Sequence, residues 1–330
     1  MNVLNDGVGR RVSYLRISVT DRCNLRCRYC TPEDQFPLLD HQDILTYEEI
    51  LTVVRALVPV GIDKVRLTGG EPLVRKGIEQ LVAWINDING IHDISLTTNG
   101  MLLAEKGKDL RDAGLSRINI SLDTLKKEKF SYITRRDYFS RVMQGVETAL
   151  SLGFSPVKIN VVAMRGFNDD EIIDFAALAE KLPIHVRFIE YMPIGSGTGW
   201  QAGQFISTEE IRRRIEDHYG LLQPIPTDNC AGPAEVYSLP GGSGRIGFIG
   251  ALSNHFCDRC NRVRITADGR LRPCLLADIE FDLKTHLRHG ADAEAIRALF
   301  FQALAKKPKS HGMSCNSVKK CVRLMSSIGG

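Results

Sequence analysis

At 330 residues, with 43% apolar and 25% charged side chains, the chain has the composition of an ordinary folded protein, which excludes fibrous and wholly disordered classes. That length accommodates one large α/β barrel with an appendage, or two ordinary domains. A formal charge of +4 is mild for so long a chain, so an anionic partner must be held by locally placed Arg and Lys rather than by a global field.

Met1–Arg11 is polar and lacks the apolar stretch of a signal peptide, and no later run approaches the ~18 apolar residues of a membrane helix. A cytoplasmic location without membrane contact is therefore expected. Strands are predicted over Ser13–Val19, Val65–Thr68, Ile94–Thr97, Ile118–Leu122, Val157–Val162 and Val186–Ile189. Between them, amphipathic stretches predict helices over Glu48–Val58, Gly77–Ile88, Leu102–Ala113, Tyr138–Leu152 and Asp170–Leu182. The alternation reads as repeated βα units around a parallel sheet. After Glu190 the rhythm stops, and the Gly-rich Pro193–Gly199 marks a boundary between residues 1–192 and 193–330. The second region predicts a helix after Ser207, with Glu210 placed for a capping box, a Gly/Pro-rich stretch over Pro224–Gly250, and a helix over Ala291–Ala305. The basic Lys306–Lys309 run that follows reads as a solvated loop, with nucleic-acid contact the lesser alternative.

The cysteine count, nine, is odd, and in a reducing compartment it argues for metal ligation or catalysis over a disulfide framework. Cys23, Cys27 and Cys30 follow the first strand as C-x3-C-x2-C, so one loop can present three thiolates to one centre. A 4Fe-4S cube given three thiolates keeps one iron open for an external ligand. Structural zinc completed by a distant residue such as His41 is the alternative. Cys257, Cys260 and Cys274 form a second triplet, which fits either zinc, with His255, His286 or Cys230 as fourth ligand, or a second cube.

Strands buried in a parallel sheet should be apolar throughout, yet Arg16, Arg66, Lys158 and Arg187 interrupt four of them. Period-two alternation puts Tyr14, Arg16 and Ser18 on one face, opposite Leu15, Ile17 and Val19. Cations on separate strands are reconciled if those faces line a wet cavity that receives a polyanion. The alternative pairs each with a carboxylate such as Glu71 or Glu190. Arg262 and Arg264 alternate onto one face beside the second triplet. Short polar motifs follow the strands in a shared phase: the cysteine loop, Gly69-Gly70-Glu71-Pro72, Thr97-Thr98-Asn99-Gly100 and Ser121-Leu122-Asp123. Parallel barrels put their chemistry at the C-terminal strand ends, which favours a partial barrel over an open sheet.

Cys23, Cys27, Tyr29 and Cys30 match the defining motif of the radical S-adenosylmethionine superfamily, which the chain resembles. Both triplets, the Gly-Gly-Glu-Pro loop and the terminal Gly329-Gly330 together resemble the GTP 3′,8-cyclase family of molybdenum cofactor biosynthesis over nearly the whole chain. The resemblance implies an α/β fold, a partial (β/α)6 TIM-like barrel with a C-terminal extension carrying a second iron-sulfur cluster. It implies two 4Fe-4S clusters on the six cysteines named above, and S-adenosylmethionine at Tyr29, Gly70, Ser121 and Met192, with Glu71 in the loop that receives the cofactor's amine. GTP is implied at Arg16, Arg66, Thr97, Lys158, Arg262, Val263 and Arg264, with Arg187 joining the triphosphate cradle. The implied reaction is cyclisation of GTP to 3′,8-cyclo-7,8-dihydroguanosine 5′-triphosphate. Implied partners are GTP, a reducing electron donor and, for hand-over, cyclic pyranopterin monophosphate synthase; a homodimer is compatible, and neither nucleic acid nor membrane is involved.

On physical grounds Gly329-Gly330 reads as a frayed end, whereas the resemblance places it in the active site as a catalytic element. Thr31 stands where many relatives carry methionine, with an effect expected on local packing only. Cys230, Cys315 and Cys321 read as free thiols. The rivals are another radical S-adenosylmethionine enzyme with an auxiliary cluster, acting on a different substrate, and a zinc-binding nucleic-acid protein.

Overall fold

The computed structural model describes residues 3–32, 38–195, 201–226, 232–314 and 321–329. Six βα-type repeats open the chain. They run β1 (Tyr14–Ser18), α1 (Tyr47–Leu57), β2 (Lys64–Thr68), α2 (Ile78–Asn86), β3 (Asp93–Thr98), α3 (Leu103–Asp112) and β4 (Arg117–Ser121). They continue with α4 (Lys127–Thr134), α5 (Phe139–Ser151), β5 (Val157–Ala163), α6 (Ile172–Lys181) and β6 (Ile184–Glu190). Every predicted strand and helix of this half is present, and α4 is an addition that the apolar periodicity did not signal.

Local chemistry sets the boundaries. Helix α1 starts at Thr46, whose hydroxyl accepts from the Glu49 amide at 3.2 Å while Glu49 reaches back to the Thr46 amide at 2.7 Å, satisfying two otherwise unpaired donors. Its buried face, with Ile50, Val53, Val54 and Leu57, packs on the outer surface of the sheet with Leu15 and Ile17.

The second half continues with α7 (Thr208–Tyr219), β7 (Gln223–Ile225), β8 (Glu235–Ser238), β9 (Arg245–Ile249), β10 (Arg262–Ile265), β11 (Arg270–Arg272) and β12 (Phe281–Asp282). Three helices follow, α8 (Leu283–Arg288), α9 (Ala293–Ala305) and α10 (Met325–Ile328). Ser207 caps α7 by accepting from the Glu210 amide, but the Glu210 carboxylate is drawn to Arg165 and Arg214, so only half of the expected capping box forms.

Strand order is β12-β11-β10-β1-β2-β3-β4-β5-β6-β9-β8-β7. Strands β1 to β6 are parallel to their neighbours, and β10 joins β1 and β9 joins β6 in the same sense. The region after residue 193 therefore extends both edges of the barrel sheet instead of folding apart from it. Beyond those strands the sheet finishes in antiparallel pairs. Among the described residues no helix is long and apolar enough to cross a membrane.

Glu190 joins the two halves. Fully buried at the end of β6, its carboxylate accepts from the amides of Thr208 (3.1 Å), Leu252 (2.7 Å) and Ser253 (3.0 Å) and from the Ser253 hydroxyl. Charge-assisted bonds of this kind contribute more than neutral ones, and removing the acceptor leaves buried donors unmet. Glu190→Ala should therefore lower unfolding stability by about 3 kcal/mol, read from denaturant midpoints at unchanged slope. A loss under about 1 kcal/mol would contradict this role.

Candidate active site

A cavity of about 560 Å3 runs through the inside of the curved sheet, within the range that holds small-molecule ligands. Side-chain alternation explains which residues reach it. On β1, Tyr14 and Arg16 face the cavity and Leu15 and Ile17 face the helices. The parallel register then sets Arg264 of β10, Arg16 of β1 and Arg66 of β2 side by side across three neighbouring strands. On the far wall Lys158, His185 and Arg245 form a second row across β5, β6 and β9.

Among the described residues ten Arg and Lys side chains line the cavity against two carboxylates, Asp93 and Asp123, so positive charge is in large excess. Asp93 is already paired with Arg117. Glu71 and Glu190, which could have neutralised the strand cations, are spent elsewhere: Glu71 accepts from the Thr98 hydroxyl at 2.7 Å and from the amides of Asn99 (2.6 Å) and Leu73 (3.0 Å). The electrostatic cost is visible in the titration of the cations. Burial, then Arg187, Arg117 and Arg66, brings Lys158 down to about 6. Burial, with Arg66 next, brings Arg187 to about 9, and burial with Arg262 does the same to Arg264. His185 falls to about 4 through burial and Lys158. Arg187 Nε, Thr97 Oγ1 and Asn160 Oδ1 are buried without a hydrogen-bond partner among the described residues. Such a surface is built to receive a polyanion with several hydrogen-bonding groups.

All six grouped cysteines open onto this one cavity. The first triplet sits in the loop after β1, which packs so closely on the loop after β2 that a Cβ at Gly70 would lie 2.4 Å from the Arg22 carbonyl oxygen. Only glycine fits there, and the Gly70 and Glu71 amides donate to the Thr20 and Arg22 carbonyls at 2.7 and 2.8 Å. Burial pushes the Cys23 thiol up to about 12, with Glu71 adding to it, and Cys30 to about 11. The Leu25 amide points at Cys23 Sγ at 3.4 Å, and the Asn99 side-chain amide approaches the same sulfur at 3.9 Å.

In the second triplet, burial would raise Cys260, but Arg262 and Lys307 outweigh it and bring the thiol to about 6. Among the described residues no three His, Cys, Asp or Glu side chains converge closely enough to hold one metal ion. A 4Fe-4S cube makes a different demand, since each thiolate binds its own iron at the corner of a wider body. Sulfur-directed N–H donors around the first loop fit that demand, because hydrogen bonds to the sulfurs stabilise a reduced cluster.

Arg16, Arg66, Thr97, Lys158, Arg187, Arg262 and Arg264 all line the cavity, as do Tyr29, Gly70, Ser121 and Met192. Three expected residues do not. Val263 lies between two inward arginines, so alternation turns its side chain into the fully buried core. Glu71 stands behind the wall and braces the Thr98-Asn99 loop, and burial raises its carboxyl to about 7 against those same hydrogen bonds. Gly329 meets the cavity indirectly, its carbonyl accepting from Arg264 at 2.9 Å. Gly330, Cys230 and Cys315 lie outside the described residues.

Several lining residues were missed in the sequence. Asn160 and His185 share a face with Lys158 and Arg187, so period two could have found them. Asp123 was noted only as part of a strand-end motif; it accepts from the Tyr29 hydroxyl at 2.7 Å and from the Val162 amide at 2.9 Å, and burial raises it to about 6. Lys307, expected in a solvated run, is 5% exposed and donates to the Arg262 and Pro273 carbonyls at 2.7 and 2.6 Å, bridging the two sides of the second cysteine site.

A family model of the radical SAM superfamily matches residues 17–179, and one described as Molybdenum Cofactor Synthesis C matches residues 184–313. The GTP 3′,8-cyclase of Moorella thermoacetica is 51% identical over 327 residues, covering 99% of this chain and 100% of that protein. That of Pelotomaculum thermopropionicum is 49% identical over the same coverage. Among solved structures, Streptococcus suis SuiB bound to S-adenosylmethionine is similar with a TM-score of 0.59 at 14% identity, over 82% of this chain and 63% of that one. SuiB bound to its precursor peptide SuiA gives 0.60, again at 14% identity, over 93% and 75%. At that identity the likeness concerns the fold alone.

The low value for Lys158 gives a direct test of the charge excess. At pH 7.5 the amine is largely neutral, and a polyanion placed beside it raises its pKa, so binding must take up a proton. Titration calorimetry of inorganic tripolyphosphate in buffers of different ionisation heat should show net uptake at pH 7.5. The uptake should fade near pH 5, where Lys158 is already charged, and shrink in Lys158→Met. Equal uptake in wild type and variant would contradict this assignment.

Proposed function

The chain belongs to the GTP 3′,8-cyclase family of radical S-adenosylmethionine enzymes, and from that premise we propose how its own residues divide the work. It cyclises GTP in molybdenum cofactor biosynthesis, using S-adenosylmethionine and 4Fe-4S clusters. Bound to the chain, those cofactors supply the one-electron chemistry that starts the reaction. The residues hold, orient and shield.

Cys23, Cys27 and Cys30 hold the cluster that engages S-adenosylmethionine, and Tyr29, Gly70, Ser121 and Met192 contact the cofactor. Asp123 fixes the Tyr29 ring through its hydroxyl, and Glu71 acts from behind by holding the Thr98-Asn99 turn. Cys257, Cys260 and Cys274 hold the second cluster on the opposite side of the substrate. The triphosphate takes the cation rows, with Arg16, Arg66, Lys158, Arg187, Arg262 and Arg264 as principal donors and the Thr97 hydroxyl adding a neutral one. The backbone of Val263 serves by spacing its two arginines. Gly329 and Gly330 act as the catalytic element of the tail, and the bond from the cavity's Arg264 to the Gly329 carbonyl supports that role for Gly329. An enclosed wall of this kind keeps water from reactive intermediates. An external reductant, hand-over of the product to cyclic pyranopterin monophosphate synthase and a homodimer complete the reading.

The observation that carries it is the meeting of both cysteine triplets and the cation rows on one cavity. In anaerobically reconstituted protein given S-adenosylmethionine and dithionite, GTP should raise the yield of 5′-deoxyadenosine severalfold and a cyclised nucleotide should accumulate. Cofactor cleavage indifferent to GTP would overturn the substrate assignment. Replacing Cys257, Cys260 and Cys274 together by Ser should take bound iron from about eight to about four per chain while cofactor cleavage at the first cluster persists. Unchanged iron would remove the second cluster from those residues.

A further inference from the structure

Arg323 lies six positions before Gly329 and touches no part of the cavity wall. Its guanidinium forks onto Asp268, Nη1 to Oδ1 at 2.9 Å and Nη2 to Oδ2 at 2.8 Å, and also reaches both oxygens of Glu280, at 2.7 and 2.9 Å. Glu280 is shared with Arg272, which is 1% exposed and anchors the loop between Cys274 and β12 through the Ala277 carbonyl at 2.8 Å. Asp268 belongs to the turn between β10 and β11, and the adjoining Ala267 amide donates to the Ser327 carbonyl at 3.5 Å. The turn that carries Arg323's partner is therefore the one on which the last helix rests.

What this clamp positions is the end of the chain. Downstream of Arg323, α10 buries Ile328 to 1% exposure and delivers Gly329 to the ends of β1 and β2. There Gly329 adopts φ +82°, and a Cβ on it would lie 2.7 Å from Thr68 Cγ2 and 3.0 Å from Ser18 Cβ. A four-residue helix has almost no stability of its own, so its placement must come from contacts at its start and end. At its end, Arg264 donates to the Gly329 carbonyl; at its start, Arg323 is the charged contact.

We propose that Arg323 is a positioning residue for the cyclisation: its ion pairs with Asp268 and Glu280 seat the terminal segment and hold Gly329 at its bond to the cavity's Arg264, so that the two closing glycines can act. The inference rests on the reading that those glycines are catalytic. A planar fork on two carboxylates suits this task because it fixes direction as well as distance, which a lysine would not.

The test uses the cluster-loaded full chain in four forms: wild type, Arg323→Ala, Asp268→Asn, and a variant lacking Gly329 and Gly330. Amide hydrogen exchange read by mass spectrometry should speed up about five- to tenfold over 321–329 in both substitution variants, with β1 to β6 unchanged. Their kcat should fall about tenfold, while bound iron and the KM for GTP stay within about twofold, since the clamp touches neither cysteines nor cations of the cradle. Arg323→Lys should recover part of the loss. Exchange and kcat at wild-type levels in both substitution variants would overturn the proposal, and so would faster exchange with unchanged kcat. If the variant without the two glycines keeps full activity, the catalytic reading of the tail fails and takes the link to cyclisation with it. The exchange measurement then still decides whether Arg323 holds the segment.

Discussion

Three arginines stand in register on neighbouring parallel strands, Arg264, Arg16 and Arg66, facing a cavity in which cations outnumber carboxylates. Adjacent strands lie about 4.8 Å apart, and two unit charges at that distance repel by about 3 kcal/mol at an effective dielectric of ~20. Alternation makes the arrangement hard to avoid once the apolar partners Leu15, Val65 and Val263 are committed to the outer core. The strand that packs helices on one face must present its polar residues on the other, and here those residues share a sign. Burial first, and these neighbouring cations second, lower the titration of Lys158, Arg187 and Arg264. The fold tolerates the repulsion because the outer face buries a continuous apolar core, and a polyanionic substrate relieves it. Substrate binding thus draws on a tension stored when the sheet forms.

The C-terminal region completes that arrangement from both sides. Strand β10 places Arg262 and Arg264 beside β1 with Cys260 immediately before them, and β9 places Arg245 beside β6. The second cysteine triplet is therefore carried by the segments flanking the strand that brings two of the cavity's cations. Glu190 fastens the region to the barrel through buried amides, and Lys307 ties together the two sides of the second cysteine site through their carbonyls. Because the sheet runs through the boundary near residue 193, the substrate cavity belongs to neither half alone.

Much of this was legible before any coordinates. The six parallel strands followed from apolar runs spaced by amphipathic stretches, and the inward cations from charges that broke those runs. The cysteine loop followed from its spacing and from Tyr29. What stayed hidden depends on contacts between distant segments. That β10 would lie on β1 joins Arg264 to Arg16 across nearly 250 positions, with no local signal. Short strands such as β11 and β12 are held by their neighbours rather than by propensity. Lys307 sits in a charged run whose composition says solvent, yet two carbonyls and a thiol-lined site draw it inside. Glu71 was assigned to the cofactor through the family resemblance of its Gly-Gly-Glu-Pro loop, and its position behind the wall emerged only from the turn it braces.

The central claim is that the excess of cavity cations, more than the shape of the cavity, holds the substrate. It is tested most directly by measuring, anaerobically and on the cluster-loaded chain, the dissociation constants of GTP, GDP, GMP and guanosine at two salt concentrations. The account predicts that affinity falls about tenfold or more with each phosphate removed and that the salt dependence falls with it. Guanosine binding as tightly as GTP, with no salt dependence in either, would contradict it.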